Sequence, residues 1–146
     1  MSKKLLSRAA LALVLLLGAA QFVQPERTNP PVDPSAAFEA VAKPAPQVAA
    51  IVNRSCRDCH TDQTVWPWYS RISPVSWMVA RDVKEGRIKL NFSRWNIYGS
   101  EMSQIRLRAV CEEVKKGDMP LGHYLPLHPE AKLSAQDVRT LCAAAE

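Results

Sequence analysis

The sequence predicts an all-α fold, on three observations. Apolar residues recur at helical spacing in four segments, helix-starting and helix-stopping residues bracket those segments, and no run of alternating β-branched residues reads as a strand. At 146 residues the chain is the size of one domain. Its composition, 47% hydrophobic and 23% charged, fits a globular protein carrying one apolar segment.

That apolar segment comes first. Lys3, Lys4 and Arg8 precede the uncharged run from Ala9 to Ala20, the pattern of a basic n-region and an export h-region. Extended to Val23, the stretch gives only about 22 Å of helix at ~1.5 Å per residue, short for an unassisted span. Residues 1–23 are therefore read as an N-terminal apolar export or anchor helix: a cleaved signal, with Gly18 and Ala20 at the small-residue positions, or an uncleaved membrane anchor. Either route carries the rest of the chain to the periplasm or the outer face of the cytoplasmic membrane, since the basic flank stays inside. Without residues 1–20 the formal charge falls from +5 to +2, and the remaining Lys and Arg are interspersed with acids, so nucleic-acid binding gains no support.

Residues 24–45 are expected to form a Pro-rich tether or strap, because Pro25, Pro30, Pro31 and Pro34 interrupt any regular element before residue 36. Residues 46–146 form the predicted domain. Its first helix opens at Pro46 and places Val48, Ile51 and Val52 on one face. A second is expected with Ser73 as N-cap and Pro74 in its first position, running to about Gly86. A third runs from about Ser103 to Lys116, with Leu107, Val110, Cys111 and Val114 on one side and Gly117 at its end. The last begins at Ser134, where Asp137 completes a variant capping box and Leu133 and Val138 are spaced for a hydrophobic staple.

Between the first two helices stands CRDCH, Cys56 to His60. C-x-x-C-H is the pattern of covalent haem attachment. Two thiols add across the two porphyrin vinyl groups, and the adjacent imidazole is carried beneath the ring to coordinate iron. The expected cofactor is one covalent haem c. A thioredoxin-like motif lacks its βαβ setting here. A zinc site lacks a second ligand pair, since Cys111 and Cys142 are 31 residues apart. A disulfide within the motif leaves His60 unexplained.

For the sixth iron ligand the chain offers Met78, Met102, Met119, His123 and His128. Met119 is preferred, because it follows the Gly that ends a helix and precedes a proline that stiffens the loop. His123 or His128 would instead give bis-histidine ligation, with a lower potential than Met/His. Trp66, Trp68, Tyr69, Trp77, Phe92 and Trp95 are candidates for packing around the haem and excluding water. Cys111 and Cys142 lie on the inner faces of two helices, and an interhelical disulfide is preferred over two buried free thiols.

With CRDCH, WPWYS, SPVSW, ARDVKEGR, LNFS and GDMP in order from Pro25 to Ser134, the chain resembles the bacterial haem-binding domain family, in which C-x-x-C-H is followed by W-P-W-Y. The resemblance implies an exported, often membrane-tethered, cytochrome c-like helical domain around one haem. It implies thioethers at Cys56 and Cys59, His60 as proximal ligand, and Met119 of the G-x-M-P element as distal ligand. GHYLPL departs from the pattern, since relatives tend to place aromatics after the M-P pair.

Electron transfer leads among the functions, with a periplasmic or membrane redox protein as partner and membrane association through the N-terminus as a further possibility. The alternatives are a haem-based redox or gas sensor, in which a weak Met119 bond is displaced, and a peroxidase using a base such as His123.

Overall fold

The computed structural model describes residues 2–146. Among them there are helices and turns and no strand. The elements are α1 (Lys3–Ala20), α2 (Phe38–Val41), α3 (Pro46–Ser55), α4 (Arg57–His60), α5 (Val75–Lys89), α6 (Gly99–Lys116) and α7 (Ala135–Ala143), with short 3-10 turns between them.

The core sits where α3, α6 and α7 converge on the 3-10 turn Phe92–Ile97. Phe92 stacks on Trp95 with ring centres 5.5 Å apart, and Phe38 meets both edge-on at 5.3 and 4.7 Å. Val48, Ile51 and Val52 close this cluster from α3, and Cys111, Val114 and Leu141 from α6 and α7. Cys111 and Cys142 are disulfide-bonded, with Cα atoms 4.7 Å apart.

The last helix starts as its sequence directs. Ser134 Oγ accepts from Asp137 N at 3.1 Å and Asp137 Oδ2 accepts from Ser134 N at 2.8 Å, which satisfies two otherwise orphaned amides. At the end of α6, Gly117 takes φ +79°, a left-handed conformation that costs glycine nothing.

Several boundaries differ from the sequence reading. Residues 24–45 pack on the domain as a strap and are not wholly extended. Asp33 accepts from Ser35 N to set a 3-10 turn at Pro34–Ala36, and α2 then delivers Phe38, 1% exposed, to the centre of the core. Just upstream, the Gln21 side-chain amide makes two 3.0 Å bonds to the backbone N–H and C=O of Ser73. Trp77 Nε1 donates to Val23 O at 2.7 Å and Asn29 Nδ2 to Thr64 O at 2.9 Å. Residues 21–29 thus form a strap across α5 and the loop before it.

Ser73 is not an N-cap: α5 starts at Val75, and the Ser73 hydroxyl bonds Gln24 and Ser76 instead. The helix also continues past Gly86 to Lys89, and α6 begins at Gly99 rather than Ser103. The N-terminal segment is helical over Lys3–Ala20 with none of its residues buried. Its three basic residues lie inside the helix, however, and among the described residues no helix is long and apolar enough to cross a membrane.

Candidate cofactor site

The C-x-x-C-H residues occupy the end of one helix and the single turn that follows. α3 stops at Ser55, Cys56 breaks the helical path, and α4 carries Arg57 to His60, with His60 N donating to Cys56 O at 3.0 Å. This turn points both thiols and the imidazole toward one cleft. Its two lobes, of about 230 and 360 Å³, share Ser55, Cys56, His60, Lys89, Met119 and Pro120. Cys59 lines the smaller lobe, and Leu90, Phe92, Val110, Val114 and Leu133 give the larger one apolar walls.

Neither Cys56 nor Cys59 is in a disulfide. Burial pushes the Cys56 thiol up to about 12, with the Cys59 charge adding to it. Cys59 is likewise raised to about 12 by burial and then by the Asp58 carboxylate. Such thiols stay protonated at neutral pH. That is the opposite of the depressed thiolate on which thioredoxin-like exchange depends.

The His60 ring is held from behind. Its Nδ1 lies 3.1 Å from the carbonyl oxygens of both Gly86 and Leu90. Carbonyls only accept, so Nδ1 carries the hydrogen and the Nε2 lone pair is left for another partner. Burial pushes the ring below the ordinary histidine range, against the two carbonyl bonds that raise it, and so keeps it neutral. The approach of α5 that makes this possible requires Gly86: a Cβ there would sit 2.5 Å from the Cys59 carbonyl oxygen.

The intervening residue Asp58 pins the turn from the other side. Its Oδ2 accepts from Tyr124 OH at 2.8 Å, its Oδ1 from Val65 N at 3.2 Å, and its carbonyl from Thr64 Oγ1 at 2.6 Å. Tyr124 lines the smaller lobe, and its hydroxyl is pushed well above the usual tyrosine range by burial and by Asp58.

The candidate sixth ligands separate cleanly. Met119 lines both lobes together with His60. His123 lines the smaller lobe, but its Nε2 is 2.7 Å from Asp82 Oδ2. Both ring nitrogens of His128 are engaged, Nε2 with Tyr69 OH at 2.7 Å and Nδ1 with Glu130 at 3.2 Å, and it lines neither lobe. Met78 lies in a neighbouring cavity on the far side of Cys59, and Met102 is exposed on α6.

The aromatic candidates are placed differently from one another. Trp66, Trp68 and Trp77 line neither lobe. Trp68 is 70% exposed, and Trp77 is turned to the strap at Val23. Tyr69 lines only the neighbouring cavity, and Trp95 is in the core. Phe92 is an aromatic wall of the larger lobe, edge-on to His60 at 6.5 Å, and Tyr124 is one of the smaller. Sequence reasoning missed Tyr124, Gly86 and Leu90. For Gly86 a signal existed: a glycine inside a helical pattern marks close backbone approach.

The residues present fit a haem. Two free thiols, a neutral imidazole with an unengaged Nε2 and a thioether share one largely apolar cleft.

Comparison with known proteins gives one family. The family model described as "Haem-binding domain" matches residues 15–146. No curated protein and no solved structure matches.

Proposed function

The chain belongs to the haem-binding domain family, and on that premise we propose that it is an exported c-type cytochrome that carries one electron at a time on a single covalently held haem. The observation that supports this reading is the cleft itself, where Cys56, Cys59 and His60 stand together with Met119.

Cys56 and Cys59 would hold the haem by adding their thiols across its vinyl groups. His60, its Nδ1–H fixed by two carbonyls, would present Nε2 to the iron, and Met119 would present its thioether. The bound haem would supply cycling between ferric and ferrous iron. Leu90, Phe92, Val110, Val114 and Leu133 would exclude water, and a Met/His pair would set the potential above that of a bis-nitrogen site. Export is supported by the basic flank at Lys3, Lys4 and Arg8 ahead of an uncharged run, and a redox protein outside the cytoplasm is the matching partner.

A peroxidase reading draws on one observation, the His123–Asp82 pair at the smaller lobe. Optical spectra separate the two: low-spin ferric iron with a methionine charge-transfer band belongs to the carrier, high-spin iron to the peroxidase. The proposal is tested by expression in cells competent for cytochrome maturation. We expect an intact mass with one added haem and a reduced pyridine haemochrome of the c type, both lost in the Cys56→Ala/Cys59→Ala double variant. A mass equal to the bare polypeptide overturns it.

A further inference from the structure

Arg87 is the most heavily engaged side chain near the cleft, yet it touches nothing in the cleft itself. Its Nε donates to the carbonyl of Thr61, the residue after His60, at 2.8 Å. Its Nη1 donates to Thr28 O at 2.9 Å, and its Nη2 to Asn29 Oδ1 at 2.7 Å and Thr64 Oγ1 at 2.9 Å. The same Nε lies 3.7 Å from Asp62 Oδ1, and Asp62, 2% exposed, is held further by Asn91 Nδ2 at 2.9 Å and Arg94 Nε at 2.6 Å. One guanidinium therefore ties three stretches of chain together: the strap, the loop that follows the C-x-x-C-H turn, and α5. Its neighbour on α5 is Gly86, whose carbonyl accepts from His60.

We infer that Arg87 is the positioning residue of the axial histidine: it locks the backbone leaving His60 to the helix whose carbonyls orient the His60 ring. The two connections close a short loop, through Thr61 on one side and through Gly86 on the other. Loss of the lock lets α5 and the His60 turn drift apart, which weakens the Nδ1–H bonds. A ring that donates less strongly through Nδ1–H is a poorer electron donor through Nε2, so ferric iron is less stabilised. Lysine cannot replace the fork, because a point charge does not bridge four acceptors in a plane.

The inference rests on the haem reading above. Its test uses the full haem-loaded chain and reads the midpoint potential together with the low-spin ferric EPR g values. Arg87→Met is expected to shift the potential upward and to broaden and move the EPR signal, and Arg87→Lys to recover part of the shift. Arg139→Met, which removes an exposed cation of α7 that bonds Gln136 at 2.6 Å and lines neither lobe, should leave potential and EPR unmoved. Should Arg87→Met fail to take up haem, Asn29→Ala, which deletes one Arg87 acceptor in the strap, is expected to give a smaller upward shift. Haem-loaded Arg87→Met, or Asn29→Ala where Arg87→Met takes up no haem, at the wild-type potential and g values would overturn the inference, as would an equal shift in Arg139→Met. Wild-type protein without haem fails the cytochrome reading instead, so the two failures are distinct.

Discussion

The carbonyl oxygen of Gly86 lies 3.1 Å from Nδ1 of His60, and the same glycine leaves no room for a side chain against the Cys59 backbone. Gly86→Ala is therefore expected to destabilise the protein even though alanine favours a helix interior by up to about 1 kcal/mol. A Cβ 2.5 Å from a backbone oxygen cannot be relieved by rotating a side chain, so α5 has to move away from α4. The expected net cost is of order 1–3 kcal/mol. Denaturant unfolding should show a lower midpoint, with reduced haem content per chain. A stabilised Gly86→Ala protein would show that the close approach is not required.

Met119 is placed to compete for the distal side of the cleft, whereas His128 has both nitrogens occupied and His123 has its Nε2 on Asp82. In the oxidised protein, Met119→Ala should abolish the methionine-to-iron charge-transfer band and lower the potential if a nitrogen ligand replaces sulfur. His123→Ala and His128→Ala should keep the band. Its survival in Met119→Ala would move the assignment to another side chain.

Phe38 was hidden from sequence reading by its neighbours. The prolines on either side suggested an extended tether, and a single four-residue helix is too short to show a period. Its core role is set by tertiary contact with Phe92 and Trp95. Truncation to alanine at a site 1% exposed should cost about 3–5 kcal/mol. Because Phe92 also meets His60, the loss should lower haem retention during maturation as well as the thermal midpoint. A surface-like cost of a few tenths of a kcal/mol would mean that residues 24–45 are a tether after all.

The same contrast runs through the rest of the chain. The α3 face, the Gly117 stop and the Ser134–Asp137 box were legible because each depends on residues within one or two turns of each other. CRDCH was legible because the chemistry demands contiguous residues. The cleft walls were legible only at Phe92. Trp68 and Trp77 lie close in sequence to the motif, but the chain turns Trp68 to the surface and Trp77 to the strap. The walls come from Phe92, Val110 and Tyr124, which are distant from the motif in sequence. Large aromatic area in a sequence reports burial somewhere, not against which partner.

Cys111 and Cys142 join α6 to α7 across 31 residues. A cross-link closing a loop of that length stabilises by roughly 2–4 kcal/mol, chiefly by restricting the unfolded chain. Cys111→Ser/Cys142→Ser should unfold at lower denaturant by that amount with an unchanged haem spectrum, since neither residue lines the cleft. Non-reducing peptide mapping of the native protein should recover the 111–142 pair. Alkylation of both residues in native protein would remove the cross-link from the account.

Asp137 accepts from the Ser134 backbone and hydroxyl and from Arg54 at 3.0 Å. The Ser134 bonds come first among the causes that hold its carboxyl below the usual value of 3.8, and Arg54 adds to them. A carboxyl with a depressed folded-state pKa binds fewer protons folded than unfolded. Its contribution is therefore complete above the unfolded value and is lost as pH falls through the folded one. The wild type should exceed Asp137→Ala in stability by about 0.5–2 kcal/mol at neutral pH, the usual worth of a helix cap. The two proteins should converge as the pH drops below 3.8. Because the group is near the surface, high salt should reduce only the Arg54 share of the difference. A gap between the two proteins that is independent of pH across this window would show that the ionised carboxylate is not its source.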